Sequence, residues 1–391
     1  MKCTEPSIEV SDMTSLMLYE FKKVFKDIKN IICFMLFVMF IVIFVVINER
    51  ANIEKINGWG DELQLKYNGI NSNIRQINDD IEVFGGGIPT AKQQKEIEFL
   101  SEREILMREL IKQYKDKDLQ GYLAAEKAIE LHEIKGARQG LSFMDQKTTE
   151  WYEHNIKKID FFAAKNIRPI FEDNCMEGYN FLRLCSSNII ILVLIMVILN
   201  LVVECFSSEA EKGTYKLLYT QPVSKTKIFF SKLFVRLIVS TVAMGAVIMG
   251  TFVILGLKNG FGNLEYPTEM YVNGEVIFVT LKEFFHNSIP LLFIGLLFMF
   301  CFCIFISCTF NSTSTAVSIA IPVACLCMCA LISPIKPFLP FSYLTVNDFL
   351  SSSQYGVMNG NVGGAIIFLL VCSVCLVIGA LYVLKRKVYK K

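Results

Sequence analysis

The chain has 391 residues, 53% of them apolar and 19% charged, with a formal net charge of +2. Its apolar share lies above the norm for a soluble domain and is gathered into long runs, which excludes an ordinary soluble enzyme. Six runs are long enough to cross a hydrocarbon core of about 30 Å, which needs roughly 17–25 helical residues: Ile31–Ile47, Ile189–Phe206, Leu233–Leu257, Ile289–Phe310, Thr313–Pro334 and Gly364–Leu384. The expected fold class is an all-α polytopic membrane protein with six transmembrane helices. A helical, coiled-coil-like extracytoplasmic domain is expected between the first and second spans. The lipid bilayer is its first partner; no nucleic-acid partner is expected.

Residues 1–30 read as a cytoplasmic or interfacial N-terminal segment. Within 13–30, Leu16, Tyr19, Val24 and Phe25 stand among lysines, which suits a helix lying in the membrane interface or a plain extension of the first span. The first span, 31–47, follows a basic stretch too long for a secretory signal, and Val45-Val46-Ile47-Asn48 offers no small-residue cleavage site, so it reads as an uncleaved anchor.

Residues 48–186 form the predicted extracytoplasmic domain, highly charged and slightly acidic. A heptad runs through Ile53, Gly60, Tyr67, Ile74 and Ile81, with a second row at Ile56, Leu63, Ile70, Ile77 and Phe84. A seam at 3.5-residue spacing predicts a helix packed lengthwise on a partner. Gly85-Gly86-Gly87-Ile88-Pro89 then breaks it, and Ile97, Leu100, Met107, Ile111 and Tyr114 start a second helix, so an antiparallel hairpin is predicted. No strand precedes these glycines, which removes a phosphate-binding reading. Residues 119–165 are predicted helical, with Trp151, Tyr152, Phe161 and Phe162 either closing a small core or receiving an amphiphilic ligand.

The second span, 187–206, carries Asn200 and Glu204 one turn apart. An intramembrane acid is a candidate for a translocation path, although Glu204 is near enough to the inner interface for structural capping. The cytoplasmic loop 207–232 has Glu209 and Glu211 to favour a helix start and Pro222 to end it. Tyr215, Leu218 and Tyr219 share one helical face, and Lys225–Lys232 is a second amphipathic piece. The region 233–384 holds the third to sixth spans. Gly245, Gly250 and Thr251 give the third span small faces, Pro322 predicts a kink in the fifth, and the proline-rich stretch near 334–350 is too irregular for a straight span. Residues 385–391 form a basic tail.

Lys/Arg placement sets orientation. The basic residues beside the spans cluster at Lys22, Lys23, Lys26 and Lys29, at Lys212, Lys216, Lys225, Lys227, Lys232 and Arg236, and in the C-terminal tail. The two short loops assigned to the other side, 258–288 and 335–363, have only Lys258, Lys282 and Lys336. Both termini are therefore expected in the cytoplasm of a cell whose Lys-, Ile- and Asn-rich coding suggests a low-GC bacterium, with the chain in its plasma membrane. Most of the thirteen cysteines lie in or beside spans. In Cys325-x-Cys327-x-Cys329 only the outer two share a helical face, so no metal site is predicted.

The string Glu211-x-Gly213-Thr214-x-x-Leu217-Leu218-x-x-Gln221-Pro222-Val223-Ser224-Lys225 resembles the signature after the second span of ABC-2-type permeases, the membrane subunits of ATP-binding-cassette exporters. Tyr215 replaces the family's usual aliphatic residue. The resemblance implies that these ten positions act as a coupling helix seated on a separate cytoplasmic ATPase, present in two copies. It also implies a second permease copy or a related permease, and a re-entrant outer segment before the last span. ATP and Mg would be bound by the partner. This chain has no G-x-x-x-x-G-K-[ST] pattern, so no cofactor of its own and no enzymatic activity are expected. The implied cargo is an amphiphile such as a peptide antibiotic, lipid-like compound or drug. A sodium-extruding permease, a sensor or mechanotransmitter reading its external domain, and a scaffold are the alternatives.

Overall fold

The computed structural model describes residues 13–84, 86–141, 143, 145–214, 224–272, 275–328, 338–351 and 361–389. The chain divides into two compact units: Met1–Val46 with Met176–Gly262 and Glu269–Lys391, and Ile47–Cys175 with Asn263–Thr268.

The first unit contains α1 (Met13–Lys26), the start of α2 (Ile28–Phe84), α6 (Gly178–Leu184), α7 (Asn188–Glu211), α8 (Lys225–Asn259), α9 (Leu281–Thr309), α10 (Thr313–Met328), α11 (Val346–Ser351) and α12 (Val362–Tyr389). Among the described residues, five helices are long and apolar enough to cross a membrane: Ile28–Val83, Asn188–Glu211, Lys225–Asn259, Leu281–Thr309 and Val362–Arg386. The fifth predicted span begins as α10, a shorter apolar helix that continues past Pro322. The side chain of Cys327, and Cys329 to Pro334 entirely, lie outside the described residues.

Burial sorts these helices. In the most apolar windows of α7 and α9, 67% and 56% of residues are buried, against 11% to 17% in α2, α8 and α12. α7 and α9 therefore form the inner pair of this unit, while the other three keep apolar faces uncovered. α7 packs on α9 and α10, α9 packs on α12, and α1 lies against α8. Of the proline-rich stretch, a 3-10 turn at Pro340–Leu344 leads into α11. Phe341 meets Phe298 and Phe302 edge-on, at 5.1 and 4.9 Å between ring centroids.

The all-α expectation needs one addition. Pro267–Val272 (β1) and Glu275–Thr280 (β2) pair as a two-stranded sheet. Two connecting residues can join only antiparallel strands. The signal was in the sequence: Asn273-Gly274 between β-branched and aromatic residues is a strong short-range hairpin pattern.

The second unit holds the rest of α2 with α3 (Ala91–Asp116), α4 (Leu119–Arg138) and α5 (Thr149–Lys165). Gly86 and Gly87 end the α2 turn at φ +61° and +80°, a backbone that side-chained residues rarely adopt. Thr90 then opens α3 with a reciprocal capping box to Gln93. The heptad seam is paired antiparallel: Gly60 faces the Tyr114 ring, and Tyr67 donates to Glu104 at 2.7 Å.

The seam is covered by more than one helix. Leu63 and Ile70 of α2 share a core with Phe99, Leu100, Met107 and Leu110 of α3 and with Ala125 and Ile129 of α4. The first heptad positions, Ile53 and Ile56, remain about half exposed, and the Phe84 side chain lies outside the described residues. Trimming a packed seam residue should cost far more than trimming an exposed one. Ile70→Ala is expected to destabilise this unit by about 2–5 kcal/mol, while Leu65→Ala should stay within about 0.5 kcal/mol. Denaturant unfolding of the whole chain, followed by its tryptophan emission, would compare the two.

Candidate functional site

α7 ends at Glu211, and the chain turns through Gly213 at φ +69°, which glycine tolerates without a Cβ penalty. Ser224 is the N-cap of α8, its hydroxyl accepting from the Lys227 N–H at 3.4 Å, and Lys225 is the first helical residue. Glu211, Gly213, Thr214, Ser224 and Lys225 of the loop signature are thus placed at its two flanks. Leu217, Leu218, Gln221, Pro222 and Val223 lie outside the described residues.

Each flank is tied to other helices. The Glu211 carboxylate accepts from both the backbone N–H and the hydroxyl of Thr313, at 3.0 and 2.6 Å. A carboxylate there caps the start of α10 from another helix and complements the positive end of its dipole. Two residues earlier, Glu209 accepts from Lys23 of α1 at 2.6 Å and from Lys232 of α8 at 2.5 Å. Lys232 also reaches Glu20 of α1 at 3.0 Å and lies over the Phe206 ring at 5.6 Å.

This four-residue cluster joins α1, α7 and α8, and Lys232 is only 1% exposed. A buried ammonium costs several kcal/mol in lost hydration, so its carboxylate partners are required for it to be tolerated. One layer further into the bundle, Arg236 of α8 donates to the Leu201 carbonyl at 2.7 Å. Ser307 of α9 accepts the backbone N–H groups of Phe206 and Ser207 at 2.8 and 3.2 Å. The loop-side end of α7 is therefore held by side chains from α1, α8, α9 and α10.

The two candidate path residues are placed differently from each other. Glu204 is partly buried and pairs with Lys29 of α2 at 3.2 Å. Asn200, one turn earlier, is exposed. Chemically, the assembly is a brace: Glu209 ties the end of α7 to α1 and α8, and Glu211 ties it to α10.

Sequence reasoning did not single out Glu20, Lys23, Lys232, Arg236 or Thr313. Lys23, Lys232 and Arg236 were counted only toward orientation, where number and side alone matter. Lys232 did carry a local signal, since Ile228 and Phe229 lie one turn before it on the same helical face.

A family model described as ABC-2 family transporter protein matches residues 15–387. No curated protein and no solved structure matches the chain.

Removing the buried cation should leave Glu20 without its cation and Glu209 with Lys23 alone. Lys232→Met is expected to destabilise the chain by about 3–5 kcal/mol. Adding Glu20→Gln and Glu209→Gln should recover much of that loss, which thermal melts of the detergent-solubilised variants would show.

Proposed function

The chain belongs to the ABC-2 family of transporter proteins, and from that membership we propose that it is the permease subunit of an ABC exporter. It is driven by a separate ATPase at the cytoplasmic face. The observation that carries the reading is the family match across residues 15–387, over the spans and the loop signature alike. The chain itself lacks the phosphate-cradling G-x-x-x-x-G-K-[ST] pattern, which supports assigning ATP and Mg to the partner.

In this reading Glu211, Gly213, Thr214, Leu217, Leu218, Gln221, Pro222, Val223, Ser224 and Lys225 form the coupling element. Two ATPase subunits close on ATP and push on two such loops, one from each permease copy. The Glu20–Lys23–Glu209–Lys232 cluster supports this role, because a loop with loose roots would absorb the push. The cargo is an amphiphile, moved outward along a path between two permease copies, with Asn200 and Glu204 as its polar positions. Both termini, the loop and the basic tail lie in the cytoplasm, and 48–186 is extracytoplasmic.

Leu217→Asp with Leu218→Asp should leave the chain in the membrane while abolishing co-purification of the ATPase. The check is a mild-detergent pull-down from native membranes with ATPase assay. A stoichiometric ATPase retained by the double variant would remove the coupling assignment, and its absence from the unaltered chain would remove the permease reading.

A further inference from the structure

The second unit holds a cavity of about 390 Å³ lined from α2, α3, α4 and α5 and by Asp145 and Lys147. That volume lies within the roughly 300–1,000 Å³ range of small-molecule sites. Its apolar walls come from Leu63, Ile70, Met107 and Ile129, and its aromatic walls from Trp59, Tyr122, Trp151 and Tyr152. Gly69 adds no side chain to the α2 wall. Tyr152 is locked in place, its hydroxyl accepting the Lys147 N–H at 2.8 Å, while Trp151 is 46% exposed.

One carboxylate is out of keeping with this lining. Glu130 is 8% exposed. Its Oε1 accepts from Asn155 at 2.7 Å, but Oε2 is buried with no hydrogen-bond partner. Buried polar atoms are nearly always satisfied, and an orphaned acceptor in a cavity wall marks a place for a donor. Glu126, one turn away on α4, lines the same space.

The basic groups nearby are already engaged or lie outside. Arg103 is paired with Glu133 at 2.5 Å with both side chains buried. Lys66 is exposed, pairs with Glu62 at 2.9 Å and rests over Trp59. Lys147 and Asp145 are exposed. The inner floor is thus acidic and its walls are apolar and aromatic.

We infer that this cavity binds a cationic amphiphile, its ammonium or guanidinium group on Glu130 with Glu126 beside it, and its apolar body between Trp59 and Trp151. Aromatic faces attract such a cation as well as its apolar body. The cavity belongs to the second unit and the loop signature to the first, and binding in the cavity requires no ATPase.

Burial pushes the Glu130 carboxyl up to about 7, with Glu133 and Glu126 adding to the rise and Asn155 and Arg103 opposing it. Burial likewise raises Glu126 to about 7, against the pull of Lys66 and Lys158. Both acids therefore lose their protons near neutrality. An ionised carboxylate holds a cation and a protonated one does not, so binding must strengthen as pH rises through 7.

The two tryptophans of the chain both line the cavity, so intrinsic emission of the full-length protein in phosphatidylcholine nanodiscs reports on it directly. The probes are phenylbutylamine and its near-isosteres phenylbutanol and phenylbutyrate. The amine should give a saturable change with at least about tenfold tighter binding than either isostere. Its affinity should rise several-fold, up to about tenfold, between about pH 6 and about pH 8. Glu130→Gln keeps the shape and can keep the Asn155 contact, and should remove most of the amine preference and of the pH dependence. Glu126→Gln should remove a smaller part.

Equal affinities for the three probes would mean nonspecific apolar partitioning and would overturn the proposal. So would tighter binding of phenylbutyrate, or amine binding left unchanged in Glu130→Gln. If circular dichroism shows that variant unfolded, the pH series on the unaltered chain decides: a flat or falling affinity with rising pH overturns the site.

Discussion

The Lys232 ammonium fixes the arrangement of the loop-side end of the first unit. A cation that is 1% exposed cannot stand alone in an apolar bundle, so Glu20 and Glu209 must come to it from two other helices. That requirement orients α1, which would otherwise be a short helix with little to bury. Glu20 and Val24 point inward on it, while Leu18, Tyr19 and Phe25 remain exposed. An exposed row of apolar and aromatic side chains with lysines nearby suits a helix that lies in a membrane interface. The ion cluster sets its inner face and lipid suits its outer one.

The same end of α7 is held a second way. Ser307 accepts two backbone N–H groups of α7, and Arg236 donates to one of its carbonyls. Bonds from neighbouring side chains to the helix backbone link α7 to α8 and α9 at fixed positions along its length. Apolar packing alone would resist sliding less, since interchangeable methyl contacts can re-form after a shift. The span that precedes the loop is thus positioned by directional bonds as well as by burial.

Much of this was legible in the sequence. Span-length apolar runs, the heptad from Leu63 to Ile81 and the glycine break at 85–87 each follow from periodicity and backbone sterics, which are local properties. What sequence left open was pairing. Glu209 and Lys232 are separated by the loop, and Glu20 lies far from both, so nothing in their spacing indicated that they meet. Glu204 illustrates the same limit: its partner Lys29 sits on another helix. The β-hairpin at 267–280 is different, because Asn273-Gly274 marked it and the apolar runs on either side drew attention away. The heptad also promised a two-helix seam, whereas α4 joins α2 and α3 in the core. Periodicity shows that a face is buried and does not say by how many neighbours.

The two units treat buried charge in opposite ways, and the contrast bears on what each is built to do. In the first, Lys232 meets two carboxylates and its Glu209 partner meets a second lysine. Such a cluster is closed: it leaves no strong site for a visitor, and its value lies in holding helices together. In the second, Arg103 and Glu133 form a closed pair of the same kind, but Glu130 a turn away keeps one oxygen orphaned against a cavity. If that acid served only stability, glutamine or leucine would fill the place at lower cost, since an unpaired buried carboxylate destabilises the fold. A carboxylate kept at such a cost in a roomy, aromatic-walled space is better explained by a ligand that completes it than by the packing around it.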